Sequence, residues 1–114
     1  MDNMIKVSHE QDVTIVTPQV KRLDSAVAPA FKEAVLKVVH EGHKRLVVDL
    51  DNVDFMDSSG LGALVSVLKG LGGSGALGIC NLKGGVQSLF KLTRMDKVFT
   101  ISTSAADAVQ KASA

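Results

Sequence analysis

Four consecutive residues, Asp57-Ser58-Ser59-Gly60, are the part of this sequence whose residue types and spacing could do chemistry. A hydroxyl beside a carboxylate can act as a nucleophile, accept a phosphoryl group from another protein, or cap a helix. Serine, aspartate and asparagine are preferred N-cap residues, and losing one costs about 1 kcal/mol. Because a cap needs only one polar residue, the cap role leaves two neighbouring hydroxyl groups unexplained.

A hydrolytic role for either serine requires a histidine that takes the hydroxyl proton. The three histidines are His9, His40 and His43, one in the first strand or turn and two at the end of the first predicted helix. No pattern places any of them beside the serines. We therefore expect no catalytic residue and predict that the chain is not an enzyme; a small hydrolase remains the third hypothesis.

Neither a metal site nor a cofactor site is recognisable in the sequence. Four clustered aspartates do not follow the spacing of a calcium-binding loop, so turn and cap roles are expected for them. The stretch 73–78 matches GxGxxG, but it follows a predicted helix and opens a strand, the reverse of a dinucleotide-binding turn. The single cysteine, Cys80, ends an apolar run and is predicted to be a buried, unreactive thiol. The four aspartates are Asp49, Asp51, Asp54 and Asp57.

Composition narrows the classes of partner. The chain has 114 residues, a formal net charge of +1, and neither tryptophan nor tyrosine. A nearly neutral chain without aromatic platforms is a poor candidate for binding nucleic acid. The N-terminus lacks the pattern of a secretory signal, and Lys69 and several glycines interrupt the apolar region 60–80. We expect a cytoplasmic protein without a membrane span.

Hydrophobic periodicity predicts one α/β domain spanning residues 1–114, with helices packed against a mixed sheet. Alternation predicts strands 5–10 and 13–17 joined by a hairpin turn, and short apolar runs predict buried strands at 45–50 and 76–80. Helical spacing predicts the first helix at 26–39, with Asp24 or Ser25 as its cap. The other predicted helices are 60 to about 71, 84–92 and 104–112.

The serine pair falls at the start of the second predicted helix, because the apolar helical period begins at Leu61. Gly60 and Gly62 carry no side chains, so another surface could approach the backbone there. A helix N-terminus favours a phosphate, whereas the neighbouring carboxylate of Asp57 opposes the added negative charge. A phosphate on a serine here would therefore alter the surface more than the fold.

Two segments, "LVVDLDNVDFMDSSGLGALVSVLK" (46–69) and "LGICNLKGGVQSLFKLTRMDKVF" (77–99), resemble the STAS domain of the bacterial anti-sigma factor antagonist family. The resemblance extends over essentially the whole chain, and the apolar strand followed by Asp-Ser-Ser-Gly-Leu-Gly is its most specific part. It implies a four- to five-stranded mixed β-sheet with three to four α-helices packed largely on one face.

The resemblance also implies roles for residues around the serine pair. Ser58 matches the serine that an anti-sigma factor with ATP-dependent serine kinase activity phosphorylates. The unphosphorylated antagonist binds this kinase and frees the sigma factor, phosphorylation releases the antagonist, and a serine phosphatase resets it. Two neighbours would support the phosphosite, Asp57 by orienting the hydroxyl and Ser59 by capping or hydrogen-bonding the helix start. The partner-binding residues implied by the resemblance are Asp24, Gly60, Leu61 and Gly62.

One departure from the family pattern concerns Lys21 and Arg22, which stand where many relatives have Gly-Glu or Gly-Arg. A basic pair at a partner-facing turn leaves open which kinase the chain fits; two solvated charges at a strand end are the simpler interpretation. The alternative function is a non-switching STAS subunit of a larger complex, such as a lipid-transport or sensory assembly. The intact Asp-Ser-Ser-Gly favours the switch.

Overall fold

The computed structural model describes residues 4–72 and 77–113. Within these ranges the helices are α1 (Ala28–His40), α2 (Ser58–Gly70), α3 (Gly84–Leu92) and α4 (Ala105–Ser113), and a short 3₁₀ helix spans Met95–Lys97. The strands are β1 (Ile5–Glu10), β2 (Val13–Pro18), β3 (Arg22–Leu23), β4 (Leu46–Asp49), β5 (Phe55–Met56), β6 (Leu77–Cys80) and β7 (Thr100–Ser102). Most of the GxGxxG match lies in 73–76, outside the described residues.

The main sheet has five strands in the order β1-β2-β4-β6-β7. Strands β1 and β2 form the predicted antiparallel hairpin, and β2, β4, β6 and β7 are mutually parallel. Parallel neighbours need crossover connections, which α1, α2 and α3 supply. The prediction of an α/β fold with a mixed sheet is confirmed.

The two faces of the sheet carry separate apolar clusters. On β4, Leu46 and Val48 pack into the larger cluster beneath α1, α2 and α3, whereas Val47 belongs to a smaller cluster with α4. This division follows from the alternation of side chains along a strand. Helix α4 places Ala108 and Val109 against the second face. Three of the four described helices therefore share one face of the sheet. Strand β4 is buried on both faces, as its unbroken apolar run predicts.

A second, two-stranded sheet joins β3 to β5 in parallel. Its register pairs Arg22 with Phe55 and Leu23 with Met56. The backbone carbonyl of Lys21 extends the connection by accepting a hydrogen bond from the Asp54 N–H at 2.8 Å. This small sheet fixes the chain before α1 beside the chain before α2, which brings two distant parts of the sequence to one surface.

The start of α1 differs from the prediction that Asp24 or Ser25 caps it. The N-cap position is Val27, whose side chain forms no capping hydrogen bond. The Asp24 carboxylate accepts the N–H of Ala26 at 3.2 Å, and its backbone carbonyl accepts those of Val27 and Ala28. A turn thus precedes the helix, and Pro29 falls in the first helical turn, where it costs no backbone hydrogen bond. None of the described helices is long and apolar enough to cross a membrane.

Candidate functional site

Asp57 is the N-cap of α2. Its backbone is extended, with φ −113° and ψ −171°, and one carboxylate oxygen accepts the N–H groups of Ser59 at 2.9 Å and Gly60 at 3.2 Å. Two N–H groups that a helix leaves unpaired at its start are thereby satisfied. The cap predicted among the three polar residues is thus Asp57, and its carboxylate is held by the helix backbone.

The two serine side chains differ in accessibility. Ser58, the first residue of α2, is exposed, whereas Ser59 is only partly exposed. Neither hydroxyl has a hydrogen-bond partner within the described part of the chain, and the Ser59 backbone is the group that bonds to Asp57. Ser58 is therefore the hydroxyl that another protein could reach with the least rearrangement. The cap role that the family resemblance offered for Ser59 is taken by Asp57.

Gly60 is buried, for a reason of packing. A Cβ atom at this position would collide with the backbone carbonyl oxygen of Leu23 and lie 2.8 Å from Cγ of Met56. Leu61 also points inward, with 7% of its surface exposed. Gly62 is exposed and has open space where a side chain would be. Of the three residues expected at a docking edge, only Gly62 offers surface, and the expectation that Gly60 gives access to the backbone is wrong.

Asp24 reaches the same surface through the small β3–β5 sheet, because it directly follows Leu23, which pairs with Met56. Its carboxylate is partly buried and accepts Nε–H of Arg22 at 3.4 Å. The structure thus brings Asp24 to the end of the molecule where α2 begins. Its binding role stays a prediction.

Arg22 and Phe55 form an exposed pair at this end that the sequence did not reveal. The guanidinium carbon of Arg22 lies 4.1 Å from the centre of the Phe55 ring, and 39% of Phe55 is exposed. Lys21 and Lys83 flank the pair and both approach the carboxylate of Asp54, at 4.0 and 3.5 Å. In the sequence, the only sign of Phe55 is its position at the end of the apolar stretch before the second predicted helix.

A groove of about 250 Å³ runs between the first turns of α1 and α2. Its walls are small or polar side chains, and Lys32 is the charged residue among them. Because Ser59 and Gly62 line it, the groove adjoins the exposed Ser58 and extends the accessible surface toward α1. The residues that line it are Ser25, Ala28, Pro29, Lys32, Ser59, Gly62, Ala63 and Ser66.

The histidines occupy a different part of the molecule. Nδ1 atoms of His9 and His43 both lie 3.2 Å from the buried Thr14 hydroxyl, and the two rings are 5.1 Å apart. His40 ends α1, whose first turn adjoins Ser59, so about 18 Å of helix separates it from the serines. In the described residues no three histidine, cysteine or acidic side chains are grouped as a metal site. Within the described part of the chain, no hydrogen bond joins a histidine to Ser58.

Cys80 is fully buried at the end of β6, as predicted. Burial, together with the charge of the nearby Asp49 carboxylate and a hydrogen bond to it, raises the pKa of its thiol to about 12. Asp49 is itself held by Nδ2 of Asn81 at 2.8 Å and by the backbone of Asp51 at 3.0 Å. A protonated, enclosed thiol is chemically inert, and these aspartates serve as turn residues.

The sequence profile of the STAS domain matches residues 4–108. The chain therefore belongs to the STAS domain family.

Curated relatives and solved structures that are similar to this chain agree with this assignment. The anti-sigma-B factor antagonist of Staphylococcus aureus is 30% identical over 81 residues, which cover 70% of this chain and 75% of the relative. An anti-sigma factor antagonist from Mycobacterium paratuberculosis is 27% identical and superposes with a TM-score of 0.87 over 96% of this chain and 93% of that one. The phosphorylated Bacillus cell fate determinant SpoIIAA shares the fold, with a TM-score of 0.68, 13% identity, and coverage of 94% and 97%.

Proposed function

We propose that this protein is an anti-sigma factor antagonist that works by partner switching, with Ser58 as the phosphoacceptor. In its unphosphorylated form it binds an anti-sigma factor that is also a serine kinase, and the sigma factor is released. Phosphorylation at Ser58 ends this interaction, and a serine phosphatase restores it. The observation that carries the proposal is the exposed hydroxyl of Ser58 on the first residue of α2, which has no hydrogen-bond partner among the described residues, in a chain with relatives named anti-sigma factor antagonists.

The charge distribution at the start of α2 supports a switch that acts through the surface. Asp57 already binds the N–H groups of Ser59 and Gly60, so a phosphate on Ser58 finds these donors occupied. The phosphate carries about −1.5 to −2 charges at neutral pH and would stand beside a carboxylate. Such a group stays in solvent, repels an acidic partner surface and leaves the packing of α2 intact.

The docking surface that fits this proposal surrounds Ser58. It comprises the exposed pair Arg22–Phe55, the open position at Gly62, and Asp24 behind Arg22. Arginine and aromatic residues are the side chains most enriched at the centres of protein interfaces. Gly60 and Leu61 contribute indirectly, since their burial sets where the first turn of α2 stands.

A substrate role fits the site better than an enzymatic one. The described histidines lie away from Ser58, and the carboxylate of Asp57 is engaged by the helix backbone. A serine without a base is a poor nucleophile on its own. In this proposal the chain supplies the hydroxyl, the partner supplies the catalysis, and both act in the cytoplasm. Absence of labelling by a serine-directed fluorophosphonate is the expected result, and labelling at Ser58 or Ser59 would favour a hydrolase.

Intact-mass spectrometry tests the phosphoacceptor directly. The protein is incubated with ATP and each kinase-type anti-sigma factor of its source, and one phosphate-sized mass gain is expected. The gain disappears in Ser58→Ala and persists in Ser59→Ala and in Ser88→Ala, an exposed serine on α3 that serves as the matched control. A gain that persists in Ser58→Ala assigns the acceptor elsewhere. No gain with any kinase would support the alternative, a non-switching subunit of a larger complex.

A further inference from the structure

Strand β1 is an edge of the main sheet, and its outer side has no neighbouring strand among the described residues. All six of its backbone positions are ordered in the hairpin register with β2. Every residue from Lys6 to Glu10 is exposed. A strand of this length with free backbone groups is a template for pairing with another strand.

The register shows which backbone groups point outward. Gln19 donates its N–H to the carbonyl of Met4 at 2.8 Å, so this pair is hydrogen-bonded in the antiparallel ladder. Hydrogen-bonded and non-hydrogen-bonded pairs alternate along such a ladder. The N–H and carbonyl groups of Ile5, Val7 and His9 therefore face away from β2, and no other strand in the described ranges pairs with them.

The side chains of the edge are compatible with a second copy of the same strand. Lys6 and Glu10 lie on one face of β1 and have no ion-pair partner within the described part of the chain, and Val7 on the other face is 40% exposed. If two β1 strands pair antiparallel with Ser8 opposite Ser8, Lys6 of each copy lies opposite Glu10 of the other. Val7 and His9 then exchange the backbone hydrogen bonds. Directly opposed charges of opposite sign stabilise such a pair.

We propose that two copies of this chain associate through their β1 edges in this register, which extends the five-stranded sheet across a twofold axis at Ser8. The register shifted by one step, with Val7 opposite Val7, would place Lys6 against Ser8 and leave Glu10 without the Lys6 partner. Charge complementarity thus selects the register that the proposal names. This inference does not depend on phosphorylation at Ser58.

The β1 edge lies apart from the candidate functional site. Helix α1 packs against both β1 and α2, so α1 separates the edge from the helix that begins at Ser58. A dimer built on β1 leaves both copies of Ser58 accessible. Two phosphoacceptor surfaces in one particle would let a dimeric partner bind both, with a gain from effective concentration.

Sedimentation equilibrium tests the dimer and the role of Val7. Across concentrations up to roughly millimolar, the range for a weak contact, the wild-type mass is expected to rise from 12.0 kDa toward twice that value. Val7→Pro removes an outward N–H and spares the β1–β2 ladder, so it is expected to stay monomeric with an unchanged circular dichroism spectrum. Val7→Thr, the matched control, keeps the N–H and is expected to dimerise. A wild-type protein that is monomeric throughout, or a Val7→Pro dimer of wild-type affinity, overturns the proposal.

Charge reversal tests the register. Lys6→Glu places like charges opposite each other twice in the dimer and is expected to raise the dissociation constant about tenfold. The double variant Lys6→Glu with Glu10→Lys restores opposite charges and is expected to restore wild-type association. A dimer whose affinity is unchanged by Lys6→Glu, or not recovered in the double variant, contradicts this register. A monomer whose binding to a kinase is lost in Val7→Pro would assign the edge to that partner and also contradict the proposal.

Discussion

The backbone carbonyl oxygen of Leu23 lies in the space that a Cβ atom on Gly60 would occupy. This contact joins the end of β3 to the first turn of α2, two segments that are far apart in sequence. It holds Asp24 and Ser58 at one end of the molecule. The surface around the phosphoacceptor therefore depends on a residue that is itself buried.

Gly60→Ala is expected to lower the free energy of unfolding by about 2 to 3 kcal/mol, because the obstacle is backbone and cannot rotate away. Gly62→Ala, two residues along the same helix, meets open space and is expected to be neutral or stabilising by up to about 1 kcal/mol. Urea unfolding of both variants measures the difference. Equal stability of the two would contradict the close approach of Leu23.

Asp57→Ala is expected to cost about 1 kcal/mol of stability, since two helix N–H groups lose their acceptor. Asp57→Asn retains an acceptor oxygen at the cap and is expected to cost less. Comparing the two variants separates the contribution of the capping hydrogen bonds from that of the negative charge. Asp57→Asn should keep the fold and remove the negative charge beside Ser58. Urea unfolding ranks the variants, and a fully stable Asp57→Ala would mean that α2 begins without this cap.

Burial of Cys80 is expected to make stability depend on pH in alkaline solution. Its pKa is raised from 9.0 to about 12 in the folded chain. The unfolded thiol loses its proton first, so the stabilisation is complete below the unfolded pKa and is lost as the pH rises through the folded one. Between about pH 10 and 11 the Cys80 contribution falls by roughly 1.4 kcal/mol per pH unit.

Unfolding of Cys80→Ala over the same pH range supplies the control, because this variant lacks the thiol contribution and should lose less stability. Alkylation by iodoacetamide gives a second measurement. At pH 9.0, the pKa from which that of Cys80 is raised, the native thiol should react far more slowly than the thiol unfolded in guanidinium. Similar rates in the two states would show that Cys80 is accessible.

The exposed Phe55 is expected to contribute to binding and little to stability. Phe55→Ala should weaken binding to the kinase by tenfold or more, as expected for an aromatic anchor, and lower the free energy of unfolding by about 1 kcal/mol or less. Leu92→Ala removes an apolar side chain that is 84% exposed at the end of α3 and provides the control. Isothermal titration calorimetry with the kinase measures the binding of both variants, and urea unfolding measures their stability. Equal effects of the two substitutions would exclude Phe55 from the interface.

Hydrophobic periodicity predicted the long elements of the fold well. The hairpin, the buried strands β4 and β6, and the four helices lie where apolar spacing placed them, within a few residues. Strands β3 and β5 have two residues each and β7 has three, which is too short for alternation to be visible. Their positions depend on tertiary pairing, such as Leu23 with Met56, that a single sequence does not encode locally.

The candidate site could be predicted only in part, because some of its features are local and others depend on tertiary pairing. The residues from Asp57 to Gly60 were identified because a cap and a helix start are local features. The burial of Gly60 and the exposure of Phe55 depend on which chain segment packs across from them, here β3. The Arg22–Phe55 pair is likewise visible only once Arg22 and Phe55 are neighbours in the small sheet.

The charge at position 58 is expected to decide whether the partner stays bound. Ser58→Ala should keep or strengthen affinity for the unphosphorylated-state partner, because it removes the hydroxyl and adds no charge. Ser58→Asp should weaken it, because a second carboxylate beside Asp57 imitates part of the charge of a phosphate. Ser88→Asp adds the same charge on the exposed face of α3 and should bind as the wild type does. Calorimetry with the kinase compares the three, and equal binding of Ser58→Ala and Ser58→Asp would show that charge at this position is not the signal.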